Sequence, residues 1–292
     1  MKESTVSEIK DLILSLKKNG KIISFVPTMG NLHQGHVSLV ERARKESDIV
    51  VVSIFVNPTQ FGPNEDFNNY PRTLDEDLKK IKEAGCDIVF TPEVLEMYPT
   101  ENERLNNNKS ELDKNISRTM VSAFQKNKVL CGKFRPGHFD GVLTIVLKLF
   151  NICMPDKTYF GLKDYQQYIL IKDMVKMLNL DIEVIGCPII RDKDGLALSS
   201  RNSYMSVEQR KKALSLSKAL NSIKNAFKEG EKDNKKLKGL GLSIMSDDDI
   251  NIQYVEIVDS ETLIPVREAG EGNLVAIAGY CGNTRLIDNI IL

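Results

Sequence analysis

The chain has 292 residues, enough for two domains at roughly 100–200 residues each. Its hydrophobic fraction of 41% and charged fraction of 27% are ordinary for a globular protein. Lys+Arg and Asp+Glu both number 40, so no global field exists to hold a polyanion, which argues against non-specific nucleic-acid binding. The longest apolar runs, such as 49–54, fall far short of the ~20 residues that span a bilayer. Five scattered cysteines (Cys86, Cys131, Cys153, Cys187, Cys281) without a C-x-x-C pair fit reduced thiols in the cytoplasm. They do not fit a disulfide framework or a zinc site.

In chain order, Val6, Ile9, Ile13 and Leu16 recur at helical spacing and predict a helix of the fold, not a signal peptide. Short strands are expected at 22–26, 49–56, 87–90, 158–160 and 182–185. Helices are expected between them at 37–46, 74–84, 142–153 and 165–178. Apolar strands alternating with helices predict an α/β fold, a doubly wound parallel sheet covered on both faces that binds ligands at the carboxyl ends of its strands. The polar stretch 101–128 reads as an exposed excursion. Beyond Cys187 a long helix at 207–227, a Lys- and Gly-rich connector at 229–241, and strands at 252–258, 274–278 and 285–290 predict a smaller α+β domain. The expected division is 1–187 and 188–292.

All three histidines fall in two short motifs. His33 and His36 lie in P-T-M-G-N-L-H-Q-G-H (27–36), where a strand feeds a helix N-terminus. Backbone amides and the positive dipole end face any anion there, and residues three apart share a helix face, so both imidazoles can reach one phosphate. Gly35 is expected to leave room for a base or phosphate. Three further segments carry chemistry. Gln60 in V-N-P-T-Q-F-G (56–62) suits a hydroxyl or carboxylate, although alone this segment reads as a turn. R-P-G-H-F-D-G (135–141) reads either as a second anion site or as a structural loop. G-L-K-D-Y-Q-Q (161–167) and R-D-K-D-G-L-A-L-S-S-R-N (191–202) add Lys163, Ser199, Ser200 and Arg201, although S-S-R-N alone also reads as a helix cap. No acidic dyad, Ser-His-Asp order or Walker-type loop accompanies them. The inventory suits charge stabilisation of a triphosphate during nucleotidyl transfer.

These motifs, together with Y-P-R-T-L-D-E-D (70–77), resemble the pantoate–β-alanine ligase family of the H-x-G-H nucleotidyltransferase superfamily, in order and across essentially the whole chain. The resemblance implies a Rossmann-like first domain that binds nucleotide and pantoate, and a C-terminal lid domain. It implies ATP-dependent condensation of (R)-pantoate with β-alanine through pantoyl adenylate, releasing pyrophosphate and AMP. Carried over, Met29, Gly30, Asn31, Leu32, His33, Gln34, Gly35 and His36 would line the ATP site, with His36 the proton donor and His33 and Lys163 its catalytic companions. Gly161, Leu162, Lys163, Asp164, Ile190, Leu198, Ser199, Ser200 and Arg201 would complete that site. Gln60 and Gln167 would hold pantoate, with Gln60 also near β-alanine. Magnesium would bridge phosphate oxygens, with Asp75, Glu76 and Asp77 as weak candidate ligands. The family implies a homodimer acting on small molecules. Leu162 and Leu198 depart from it, since Glu and Met are usual at those places. Other H-x-G-H enzymes that act on tRNA or on a phosphorylated acceptor are disfavoured by the zero net charge and by the neutral Gln60 and Gln167. An ATP-sensing module without turnover is disfavoured because the chemical residues are all present.

Overall fold

The computed structural model describes residues 2–3, 5–63, 65–99 and 119–292. Most of the expected 101–128 excursion, from 101 to 118, lies outside the described residues; its end is a 3-10 turn at Lys126–Lys128. The chain forms two compact units. One comprises Met1–Ala123, Arg135–Phe160 and Leu170–Cys187. The other comprises Phe124–Phe134, Gly161–Ile169 and Pro188–Leu292. A single cut at 187/188 would place Phe124–Phe134 and Gly161–Ile169 in the first.

The first unit is built on a parallel sheet. Its strands are β1 (Lys2–Glu3), β2 (Ile23–Thr28), β3 (Ile49–Ile54), β4 (Ile88–Phe90), β5 (Lys157–Gly161) and β6 (Glu183–Cys187), in the order β1-β4-β3-β2-β5-β6. The β1–β4, β3–β4, β2–β3 and β2–β5 pairings are parallel. Helix α1 (Val6–Lys18) opens on a reciprocal cap between Thr5 and Glu8 and buries Ile9 and Ile13. Helices α2 (Gln34–Glu46), α3 (Leu74–Glu83), α4 (Val94–Met97) and α6 (His138–Cys153, after α5 at Leu130–Phe134) complete the layers. Val26, Val50 and Val52 of the strands pack with Leu39, Val40 and Ala43 of α2 and Ile81 of α3. Burial on both faces is why these strands read as unbroken β-branched runs, each such side chain contributing roughly 1.5–3 kcal/mol. Strands β3 and β5 flank β2 on opposite sides, so the winding reverses there. The carboxyl end of β2 is the switch point at which such sheets bind ligands.

In the second unit, α7 (Tyr165–Met177) begins, and α8 (Val207–Lys228) and α9 (Asn234–Asp247) pack on an antiparallel sheet. Its strands, β7 (Asn251–Val258), β8 (Leu274–Cys281) and β9 (Thr284–Ile291), follow in sequence order. The connector expected at 229–241 is a correction: most of it is the first half of α9. Leu237, Gly241 and Met245 recur every four residues on the buried face, a stripe that the interspersed lysines and glycines obscure. At Gly241 a Cβ would come within 2.8 Å of Ile223 on α8, so glycine lets the two helices approach closely. No described helix is long and apolar enough to cross a membrane, and all five cysteines are unpaired.

Candidate active site

The loop from β2 into α2 is held in place by α3. Gly30 and Asn31 both have positive φ, 83° and 49°, which reverse the chain so that successive amides point one way. The amides of Asn31 and Leu32 donate to Oδ2 and Oδ1 of Asp77 at 2.8 and 2.7 Å, and Thr73 Oγ1 donates to Oδ2 at 3.1 Å. Lys80, one turn further along α3, donates from Nζ to the Leu32 carbonyl at 2.7 Å. Asp77 is fully buried. It is a loop anchor, and of the three carboxylates considered for magnesium only Asp75 and Glu76 are exposed.

His33 is the N-cap of α2. Its Nδ1 accepts from the Gly35 amide at 3.1 Å, while His36 Nδ1 accepts from the His33 amide at 3.3 Å. The ring centroids lie 4.1 Å apart. A backbone amide only donates, so each Nδ1 is an acceptor and each neutral ring carries its proton on Nε2. Two Nε2–H donors therefore stand side by side at a positive helix end. A Cβ on Gly35 would fall 2.8–2.9 Å from the His33 ring. The space over Gly35 thus belongs to that ring, not to the base or phosphate expected there.

The turn at Pro58–Gln60 follows β3. Asn57, buried, donates from Nδ2 to Gln60 Oε1 (3.0 Å) and the Gly141 carbonyl (3.2 Å), and its Oδ1 accepts from Tyr98 at 2.8 Å. Burial pushes the Tyr98 hydroxyl up to about 12, so it stays a donor. Gln60 Nε2 contacts Met29 Sδ at 2.8 Å, which joins the pantoate candidate to the β2–α2 loop. Gly141 has to be glycine because a Cβ there would overlap the Thr59 carbonyl.

The Arg135–His138 pair does not form the alternative anion site. Arg135 pairs bidentately with Glu65 at 2.6 and 2.6 Å and donates from Nη1 to His138 Nε2 at 2.8 Å, and His138 Nδ1 donates to the Gln60 carbonyl at 2.8 Å. Burial opposes ionisation of Glu65, but Arg135 outweighs it and holds this carboxyl below its ordinary range. The chain Glu65–Arg135–His138 thus fixes the backbone of Gln60.

In the second unit, Lys163 sits in the 3-10 turn Leu162–Asp164 and lies 3.7 Å from the Asp164 carboxylate. The hairpin at 190–198 closes through the Leu198 amide to the Ile190 carbonyl at 3.0 Å and is gripped by Arg210, which pairs with Asp192 and Asp194. Ser199 caps a turn at Ser200–Tyr204, its Oγ accepting from the Arg201 amide at 3.3 Å. The cap of α8 is Ser206, so S-S-R-N is not that helix's cap. Gln166 is buried and structural, bonded to Lys126, Val129 and Cys131, whereas its neighbour Gln167 is half-buried with no side-chain hydrogen bond among the described residues. Asn57, Lys80, Tyr98, Asp288 and Asn289 escape sequence reading. Only Asn57 lay inside a motif; the others act through partners distant in sequence.

Residues 2–291 match the family described as pantoate-beta-alanine ligase. The chain is 48% identical to the pantothenate synthetase of Caldicellulosiruptor saccharolyticus, covering 98% of this chain and 97% of that one. It is 50% identical to that of Acetivibrio thermocellus, covering 99% and 98%. A crystal structure of pantothenate synthetase from Thermus thermophilus aligns with a TM-score of 0.89 at 40% identity, over 99% of this chain and 98% of that one. The pantoate-beta-alanine ligase from Francisella tularensis, complexed with beta-gamma ATP and beta-alanine, aligns with a TM-score of 0.78 at 33% identity, over 100% and 97%. A parallel sheet whose switch-point loop carries the paired histidines, matched from end to end, makes this chain a member of the pantoate–β-alanine ligase family.

Proposed function

We propose that this chain condenses (R)-pantoate with β-alanine at the expense of ATP, through a pantoyl-adenylate intermediate. The pantoate carboxylate attacks the α-phosphorus of ATP and pyrophosphate leaves. The β-alanine amine then attacks the acyl carbon, AMP leaves, and the amine loses a proton as the amide forms. The observation that carries this reading is the family match over residues 2–291.

Residues 29–36 line the nucleotide, with the Nε2–H groups of His33 and His36 donating to phosphate oxygens and His36 serving as proton donor. Lys163, Ser199, Ser200 and Arg201 hold the departing pyrophosphate, the lysine and arginine by charge and the serines by hydrogen bonds, while Gly161, Leu162, Asp164, Ile190 and Leu198 complete the nucleotide contacts. Gln60 and Gln167 orient pantoate, and Gln60 also serves β-alanine. Asp75 and Glu76 are the carboxylates offered to a magnesium ion that would neutralise triphosphate charge; Asp77 does not fit, since its oxygens already accept three hydrogen bonds. Residues 1–187 form the nucleotide- and pantoate-binding domain and 188–292 the lid, and ATP-dependent protection of 191–201 from proteolysis tests that division. The chain acts as a cytoplasmic homodimer without nucleic-acid or membrane partners; a monomer mass by light scattering would remove the dimer.

Pantoate-dependent ATP–pyrophosphate exchange, requiring magnesium but not β-alanine, is the expected signature. Exchange that appears only when β-alanine is added would exclude a free-standing adenylation step.

A further inference from the structure

Asp288 and Asn289 lie outside every motif, near the end of β9, and are only 3% and 6% exposed. Neighbouring strand residues project to opposite faces, and these two serve different segments. Asn289 Nδ2 donates at 2.9 Å to both the Leu162 and the Lys163 carbonyls, so both amide hydrogens pin the turn that carries Lys163. Asp288 takes a bidentate pair from Arg191 at 2.6 and 2.9 Å. Arg191 Nη1 also reaches the Gly195 carbonyl at 3.1 Å, bracing the hairpin that runs into Ser199, Ser200 and Arg201. The two anchors are locked together, because the Asn289 backbone N–H donates to Asp288 Oδ1 at 2.8 Å. Continuous register with β8, Ile277 opposite Asp288 and Ala276 opposite Asn289, makes the strand a stiff base.

We infer that Asp288 and Asn289 are positioning residues for adenylation, one strand end setting both Lys163 and the 199–201 run. This rests on the roles proposed above for Lys163, Ser200 and Arg201. Groups that must meet one triphosphate gain from a common anchor, since a displacement of about 1 Å costs up to roughly 100-fold in rate. A bidentate, charge-assisted pair and a doubly donating amide resist such displacement.

A double-mutant cycle on pantoate-dependent ATP–pyrophosphate exchange tests the inference. Asn289→Ala is expected to slow exchange roughly tenfold, with the pantoate KM within about twofold of the parent. Added to Lys163→Ala, it should change the rate by less than about twofold, because its effect passes through Lys163. The full tenfold loss recurring in the Lys163→Ala background would show a structural role only and overturn the inference. So would an unchanged rate in the single variant. An unchanged rate in Lys163→Ala itself overturns the underlying role of Lys163, and the inference with it. If Asn289→Ala loses its cooperative melt, Asp288→Asn carries the same cycle against Ser200→Ala with Arg201→Ala.

Discussion

Residues 33–36 and 135–138 bring similar side chains to similar places. Each sets a histidine and a glycine at the start of a helix, α2 in one case and α6 in the other. At 33–36 both Nδ1 atoms accept from amides of their own turn, which puts the proton of each neutral ring on Nε2. At 135–138 both nitrogens of His138 have partners within the fold, and Arg135 is closed on Glu65. The first arrangement suits a phosphate; the second is a brace behind Gln60. The difference comes from the Glu65 carboxylate and the Gln60 carbonyl, 70 and 78 residues away in sequence from their partners, which no local pattern reveals.

The largest effect expected of this contrast is in rate. His36→Ala should lower exchange by two to three orders of magnitude, roughly 3–4 kcal/mol of transition-state stabilisation, with the fold intact. His138→Ala should cost about tenfold, mainly as a higher pantoate KM, because it releases the Gln60 backbone without touching the phosphates. Equal losses in kcat for the two variants would erase the distinction. Next comes stability. Asp77→Asn turns an amide NH₂ toward donors that now meet a carboxylate, and should lower the unfolding free energy by about 1–3 kcal/mol in denaturant titrations. An unmoved midpoint would mean that the β2–α2 loop needs no anchor.

A smaller, pH-dependent effect belongs to Glu65. Its carboxyl is held below its unfolded value near 4.5, so its contribution is present above that pH and is lost as pH falls through the folded value. The stability gap between the parent and Glu65→Gln should therefore be constant from about pH 7 to 5.5 and shrink below about 4.5. A gap that widens on acidification would contradict the pairing with Arg135. Smallest is Leu162→Glu, which restores the residue usual in the family. Asn289 holds the carbonyl at 162, which every residue possesses, so the KM for ATP should move by no more than about twofold, the scale of a 0.5 kcal/mol surface change. A tenfold change would give the side chain at 162 a direct part in binding.

Much of this protein is legible in its residue order. Helical 3.6-residue spacing exposes α1, α2, α3 and α8, which each bury a single stripe, and unbroken apolar runs expose β2 to β5, which bury both faces. The paired histidines are legible for the same local reason, since a cap and a helix turn are set within four residues. Helix α9 is not, because Gly239, Gly241 and its lysines imitate a linker until α8 is there to pack against. Tertiary structure alone decided that Asp77 anchors a loop, that Arg135 and His138 form a brace, and that Asp288 and Asn289 hold two segments from one strand. Hydrogen-bond partners depend on chain reversals that bring residues 46, 70, 97 and 127 positions apart into contact, and periodicity carries no information about them.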